Sequence, residues 1–197
     1  MTSRVTLISA AMSRSLREAR FDDGCPLDAT AADRARSAAG LLPGSDRVMA
    51  SPTVRCRETA AALGLEPVCA PELAALDMGR WRGRTLDEVA AAEPDAVARW
   101  LADPASAPHG GESVCALGDR VAAWLAEAAR WSGRTVAVVE PEIVRAVAVR
   151  VLDAPGPAFW RLDVPPLTAT ELSGRSGRWN LRLGQPLAHV AGQGRTG

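Results

Sequence analysis

Two short runs without charge, rich in β-branched residues and leucine, occur near the start of the chain and in its second half, at residues 5–8 and 135–139. Such runs are typical of strands that are buried on both faces, as at the centre of a parallel sheet. Between them lie segments whose apolar residues recur three and four positions apart, which indicates amphipathic helices. The alternation predicts an α/β fold, a three-layer sandwich around a mostly parallel central sheet.

Capping residues, prolines and glycines predict where the elements begin and end. Helices are expected at residues 30–42, 52–63, 94–102, 113–131 and 141–152, with a short one from the Thr85 capping box. Further strands are expected at residues 47–50, 67–70, 160–164, 168–172 and 179–183. Residues 1–184 are predicted to form one domain, and the polar, Gly-rich residues 185–197 a flexible tail.

Composition excludes several classes of function. The 197 residues carry a formal net charge of zero, so nothing favours binding to nucleic acid or to an anionic membrane. No apolar run is long enough for a membrane span, and a cytoplasmic protein with reduced cysteines is expected. With two histidines, no lysine and no tyrosine, neither a metal site nor lysine Schiff-base chemistry is expected, and no cofactor is predicted.

Ligands of open α/β sheets bind beyond the carboxyl ends of the strands, which directs attention to the residues there. Ser9 follows the first apolar strand, and Glu140 and Glu142 follow the second. Arg55 lies near the start of a predicted helix that opens at the same end. Two loops, residues 77–83 and 108–113, are expected to converge on this edge of the sheet.

Three segments follow one another in the order and spacing of a known family. Residues 51–60 read S-P-T-V-R-C-R-E-T-A, residues 73–83 read L-A-A-L-D-M-G-R-W-R-G, and residues 108–113 read P-H-G-G-E-S. They are similar to the S-P-x-x-R-A-x-x-T-A, L-x-E-x-x-x-G-x-W-x-G and P-G-G-E-S segments of the histidine phosphatase superfamily. The chain therefore resembles this phosphoglycerate mutase-like family over residues 4–184.

The resemblance implies a chemistry for which this sequence lacks the central residues. The family uses a nucleophilic histidine in an R-H-G motif after the first strand, a second histidine after a later strand, and arginines that hold the phosphoryl group. Here the R-H-G positions are Ser9, Ala10 and Ala11, and Glu140 stands at the second histidine. The usual acid falls at Ala75, so that Asp77 is the nearest carboxylate. The resemblance thus implies that no phosphohistidine forms, because alanine has no nucleophile.

Two hypotheses follow. The first is a repurposed enzyme in which Glu140 and Asp77 perform acid/base chemistry, such as isomerisation, elimination or cyclisation, on a small cationic or amine-bearing molecule. The substrate-binding residues would be Arg55, Ser9, Glu112, His109, Trp81 and Glu142. The second is a non-catalytic pseudophosphatase, a binding or regulatory module in which residues 9–12 have lost their chemistry. For each candidate side chain, a structural role such as an ion pair, a helix cap or core packing is the alternative. A homodimer is left open in both, and ordinary phosphatase activity is the least favoured alternative.

Overall fold

The structure is a computed structural model that describes residues 2–42, 44–175 and 178–187. In this part of the chain, six strands form one sheet in the spatial order β3-β2-β4-β1-β5-β6. They are β1 (Ser3–Ser9), β2 (Arg47–Ala50), β3 (Val68–Cys69), β4 (Gly133–Val139), β5 (Thr168–Arg175) and β6 (Arg178–Pro186). β1 to β4 run parallel, while β5 is antiparallel to β1 and β6 to β5. The predicted mostly parallel sheet is confirmed, with the two central apolar runs paired side by side.

Within the described residues, seven α-helices connect the strands. They are α1 (Arg14–Arg17), α2 (Ala29–Ser37), α3 (Val54–Ala62), α4 (Leu86–Ala92), α5 (Pro94–Ala102), α6 (Val114–Ala128) and α7 (Pro141–Val151). The described helices are all too short or too polar to cross a bilayer. The capping box of α4 is present as predicted, since the Thr85 hydroxyl accepts from the Glu88 amide while the Glu88 carboxylate accepts from the Thr85 amide.

Two hydrophobic cores lie on opposite faces of the sheet, which makes the three layers. On one face Leu7 and Val139 pack with apolar residues of α6 and α7. On the other, Ile8 and Val138 pack with the small residues of α2 and α3, such as Ala60. Residues alternate between the two faces along β1 because successive side chains of a strand point to opposite sides.

Several elements differ from the predictions; the helix expected at residues 30–42, for example, is Ala29–Ser37. Residues 160–164 are not a strand, because the 3₁₀ helix Gly156–Arg161 begins after Pro155 and buries Phe159. The helix after β2 starts at Val54 rather than at Pro52, because the Thr53 hydroxyl caps it by accepting from the Cys56 amide. Strand β6 extends to Pro186, so its last two residues lie in the predicted tail; residues 188–197 lie outside the described residues.

Candidate functional site

The carboxyl ends of β1 and β4 lie side by side, as the sequence predicts for the two apolar strands. Ser9 pairs with Val139 in register, and the Ala10 amide donates to the Val139 carbonyl oxygen at 3.0 Å. Ala10 and Glu140 therefore follow neighbouring strands at the centre of this edge. The backbone beyond β1 is held in place, because the Ala11 amide donates to the Thr59 hydroxyl at 3.0 Å.

Ser9 is fully buried and its hydroxyl is used internally. It donates to the Pro165 carbonyl oxygen at 2.6 Å and accepts from the Thr168 amide at 3.0 Å. These bonds join the end of β1 to the start of β5. The structure thus places Ser9 among backbone groups rather than beside a substrate cavity.

Arg55 and Glu140 form a buried, two-pronged ion pair. Arg55 is the second residue of α3 and Glu140 immediately precedes α7, so the two helix starts bring them together. The Arg55 Nε donates to Glu140 Oε1 at 3.3 Å, and its Nη2 donates to Oε2. The Thr53 hydroxyl donates to Oε1 at 2.8 Å. Both oxygens of Glu140, a side chain that is 1 % exposed, are therefore occupied by protein donors.

Glu142 is the second carboxyl group at this edge, and it accepts fewer hydrogen bonds than Glu140. It lies in the first turn of α7, is half-buried, and its Oε1 accepts from the Leu76 amide at 3.3 Å. Burial, followed by the nearby negative charge of Glu140, raises the pKa of Glu142 to about 7. The carboxyl group of Glu142 therefore titrates near neutral pH, whereas an ordinary glutamic acid is ionised there.

A cavity of about 240 Å³ opens beside Glu142 and is walled mainly by aromatic and aliphatic side chains. The aromatic wall residues are Phe21, Trp100, Phe159 and Trp160. The rings of Trp100 and Trp160 meet edge-on with centroids 4.2 Å apart. Since a cavity of roughly 150 Å³ can hold benzene, this one has room for a single ring with a short substituent.

Five charged side chains line this cavity: Arg20, Asp22, Arg55, Glu142 and Arg145. Arg55 is already paired with Glu140. The Arg145 Nε donates to the Leu162 carbonyl oxygen at 2.9 Å, and its guanidinium lies 5.9 Å from the centre of the Phe159 ring. No carboxylate among the described residues forms an ion pair with Arg145.

Comparison with known proteins identifies the family. The sequence model of the histidine phosphatase superfamily (branch 1) matches residues 13–185. The chain belongs to the histidine phosphatase superfamily. The structure of a mycobacterial glucosyl-3-phosphoglycerate phosphatase, Rv2419c with VO3, superimposes with a TM-score of 0.81 at 24% identity, covering 93% of this chain and 99% of that one. The predicted phosphoglycerate mutase-like fold is confirmed.

Two curated relatives are similar to this chain in sequence. The bifunctional protein Rv2228c of Mycobacterium tuberculosis is 39% identical over 84 residues, which is 39% of this chain and 23% of that protein. Phosphoserine phosphatase 1 of Hydrogenobacter thermophilus is 28% identical over 147 residues, 68% of this chain and 70% of that protein. The match to Rv2228c thus spans about a quarter of that relative's length.

Two of the predicted carboxylates lie away from the cavity of this superfamily member. Asp77 is exposed, and its Oδ1 accepts from the Gly79 amide at 2.9 Å, which closes a local turn. Glu112 pairs with both ends of the Arg120 guanidinium, at 3.0 Å to Nε and 2.7 Å to Nη2. The structure therefore does not bring Asp77 or Glu112 together with Arg55 and Glu140.

His109 and Trp81 are core residues here. They are 1% and 0% exposed, and their ring centroids lie 5.1 Å apart. Burial lowers the pKa of His109, so it is neutral at pH 7, and its Nδ1 accepts from the Gly111 amide at 3.1 Å. Both rings contact Trp100, which lines the cavity, but neither Trp81 nor His109 is itself a lining residue.

Several residues that line the cavity were not among the predicted site residues. Arg145 could have been found, because it follows Glu142 by three positions on α7 and therefore shares its helix face. The aromatic walls come from Phe21, Trp100 and the adjacent Phe159 and Trp160, three segments of chain without a common motif. Within the described residues, no group of three or more histidine, cysteine or acidic side chains is placed to hold a metal ion.

Proposed function

We propose that this superfamily member does not transfer phosphoryl groups through a phosphohistidine. The family match begins at Ser13, after the positions where the resemblance expects the nucleophilic motif, and Ala10 offers no nucleophile. Glu140, at the position of the second histidine, supplies Arg55 with an internal carboxylate. A substrate phosphoryl group would have to displace that carboxylate and then lie beside it.

The proposed function is acid/base chemistry on a small amine-bearing molecule bound in the aromatic cavity. One observation carries the proposal: Glu142 borders this cavity, receives one 3.3 Å hydrogen bond from Leu76, and has a pKa near 7. A carboxyl group with a pKa close to the working pH is an effective proton donor and acceptor. Glu142 thus replaces Glu140 and Asp77 as the candidate catalytic residue.

The Glu142 carboxylate and the aromatic walls support an amine-bearing ligand. When Glu142 is ionised, it attracts a cation, and a cation above an aromatic ring gains about 0.5–2 kcal/mol. Phe21, Trp100 and Trp160 are the aromatic wall residues nearest in kind to such a site. Binding a cation lowers the pKa of Glu142, so Glu142 is expected to release a proton when the ligand binds. The ligand should therefore bind more tightly as pH rises from 6 to 8.

The second candidate, a pseudophosphatase that binds a ligand without turnover, is favoured by a different observation. The hydroxyl of Ser9, both oxygens of Glu140 and both oxygens of Glu112 make internal hydrogen bonds. A site that retains a single free acid/base group is compatible with binding alone.

A binding series with one ring and three charges tests the ligand class. Benzylamine, benzoate and phenyl phosphate are titrated by calorimetry into wild type, Glu142→Gln and Arg145→Gln. We expect benzylamine to bind best, to weaken about tenfold or more in Glu142→Gln, and not to weaken in Arg145→Gln. Tighter binding of phenyl phosphate, abolished by Arg145→Gln, would overturn the proposal.

Turnover separates the two candidates. Wild type and Glu142→Gln are incubated with a mixture of amine metabolites, and compounds consumed and formed are compared by mass spectrometry. Conversion by wild type that is lost in Glu142→Gln supports the enzyme. Binding without conversion supports the pseudophosphatase, and release of inorganic phosphate from p-nitrophenyl phosphate by wild type would refute both.

A further inference from the structure

A second hollow lies at the opposite end of the sheet, where the helices no longer cover the face shared by Ile8 and Val138. It has a volume of about 480 Å³ and is formed by β1, β4, β5 and β6. Its lining residues include Arg4, Thr6, Arg134, Glu171, Ser173, Asn180 and Arg182. Arg4 and Arg134 are each the second residue of their strand, so this hollow lies at the amino ends, far from the aromatic cavity.

Two arginines lie side by side in this hollow, and neither forms an ion pair with a described carboxylate. Arg4 and Arg134 are register partners on the neighbouring strands β1 and β4, whose backbones lie about 5 Å apart. Neither guanidinium makes a hydrogen bond or an ion pair with any described residue. Like charges at this spacing repel, so folding tolerates a local cost that an anion would remove.

The rest of the lining suits an anion with several negative charges. The carboxylate within the hollow is that of Glu171, and it lies 3.6 Å from Arg182. Ser173 and Asn180 add neutral hydrogen-bond donors. A neighbouring hollow shares these two residues and adds Arg175 and Arg178, so positive charge continues along the same end of the sheet.

We propose that Arg4, Arg134 and Arg182 form a binding site for a compact polyanion of the di- or triphosphate type. Guanidinium groups bind phosphate oxygens through paired, charge-assisted hydrogen bonds, and their planar shape suits such groups better than a point charge would. Because the site shares no residue with the aromatic cavity, it is independent of the function proposed above.

Pyrophosphate binding to the full chain tests the site. Affinity is measured by calorimetry at low salt for wild type, Arg4→Gln, Arg134→Gln and Glu171→Gln, with exposed Arg99→Gln as the matched control. We expect at least about a tenfold loss for each of the first two variants, tighter binding for Glu171→Gln, and no change for Arg99→Gln. Tripolyphosphate should bind more tightly than pyrophosphate, and inorganic phosphate more weakly.

Thermal unfolding distinguishes an arginine that binds an anion from one that only stabilises the fold. Without the anion, Arg4→Gln should melt at the same temperature as wild type or higher, because the repulsion with Arg134 is gone. At the same concentration, pyrophosphate should raise the melting temperature of wild type more than that of Arg4→Gln. Equal pyrophosphate affinity in wild type and Arg4→Gln, or loss of binding in Arg145→Gln instead, would overturn the proposal.

Discussion

Glu140→Gln is the substitution that most directly probes the centre of this sheet edge. It keeps the size of the side chain and one hydrogen-bond acceptor, but it removes the negative charge that Arg55 contacts through two nitrogens. Arg55 itself is 8% exposed, so its charge remains largely inside the protein after the change.

The expected cost follows from that burial. Removing one partner of a buried ion pair destabilises a protein by about 3–5 kcal/mol, because the remaining charge is uncompensated. Since Arg55 borders the cavity and can turn toward solvent, the lower end of this range applies. For a chain of about this length each kcal/mol corresponds to about 2–4 °C, so the melting temperature should fall by roughly 6–12 °C.

A double-mutant cycle measured by urea unfolding at pH 7 provides the assay. Arg55→Met together with Glu140→Gln should recover at least half of the stability lost in Glu140→Gln, since the uncompensated charge is then absent. Glu18→Gln, which breaks the exposed pair between Arg14 and Glu18, serves as the matched control and should unfold like wild type.

Two results would refute this reasoning. If Glu140→Gln were as stable as Glu18→Gln, Glu140 would not be neutralising a buried charge. If the two substitutions at Arg55 and Glu140 were simply additive, the pair would not be energetically coupled, and Glu140 would again be a candidate for direct action on a substrate.

Three further predictions test other parts of the molecule. Folding raises the pKa of Glu142 from 4.5 to about 7, so the protonated Glu142 side chain stabilises the fold below pH 4.5 and this stabilisation is lost as pH rises through 7. When unfolding is measured from pH 5 to 8, Glu142→Gln should therefore gain stability relative to wild type as pH rises. Gly79→Ala should lower the free energy of unfolding by more than about 2 kcal/mol, because Gly79 has φ +48° and a Cβ would lie 2.3 Å from the His109 carbonyl oxygen. Gly118→Ala is the matched control in the same urea titration: Gly118 lies in the interior of α6 with open space around it, so this change should raise the free energy of unfolding by up to about 1 kcal/mol. Ser9→Ala should cost about 1–3 kcal/mol, because it leaves the Thr168 amide unsatisfied, while benzylamine affinity stays at the wild-type value; a lost affinity would mean that Ser9 contacts the ligand.

The sequence predicted helix and strand boundaries best where a single proline or a capping residue fixes where the element begins. β2 and α5 have the predicted bounds, and the capping box at Thr85 starts its helix as expected. The prediction of a strand at residues 160–164 was wrong, because the burial of Phe159 and the contact between Trp160 and Trp100 override the local pattern. Long-range packing of this kind leaves no periodic signal.

The candidate site shows the same division. Strand ends and motif spacing predicted that Arg55 and Glu140 would lie at one edge of the sheet, and they do. The spacing did not predict that they bond to each other, because that depends on side-chain geometry at two helix starts. It also placed Asp77 at the site, whereas the turn at Gly79 directs its carboxylate into a local hydrogen bond.

The sequence by itself determined the fold family and which residue types stand at the strand ends, since periodicity, caps and motif spacing are properties of neighbouring positions. Only the tertiary structure decided which of those side chains are bonded to other protein groups and which can reach a ligand. Glu140 is satisfied by Arg55 and Thr53, while Glu142, two residues later, faces a cavity and has a raised pKa. The reason is physical: burial, charge pairing and cavity walls arise from segments that are distant along the chain and meet only when the sheet and its helices assemble.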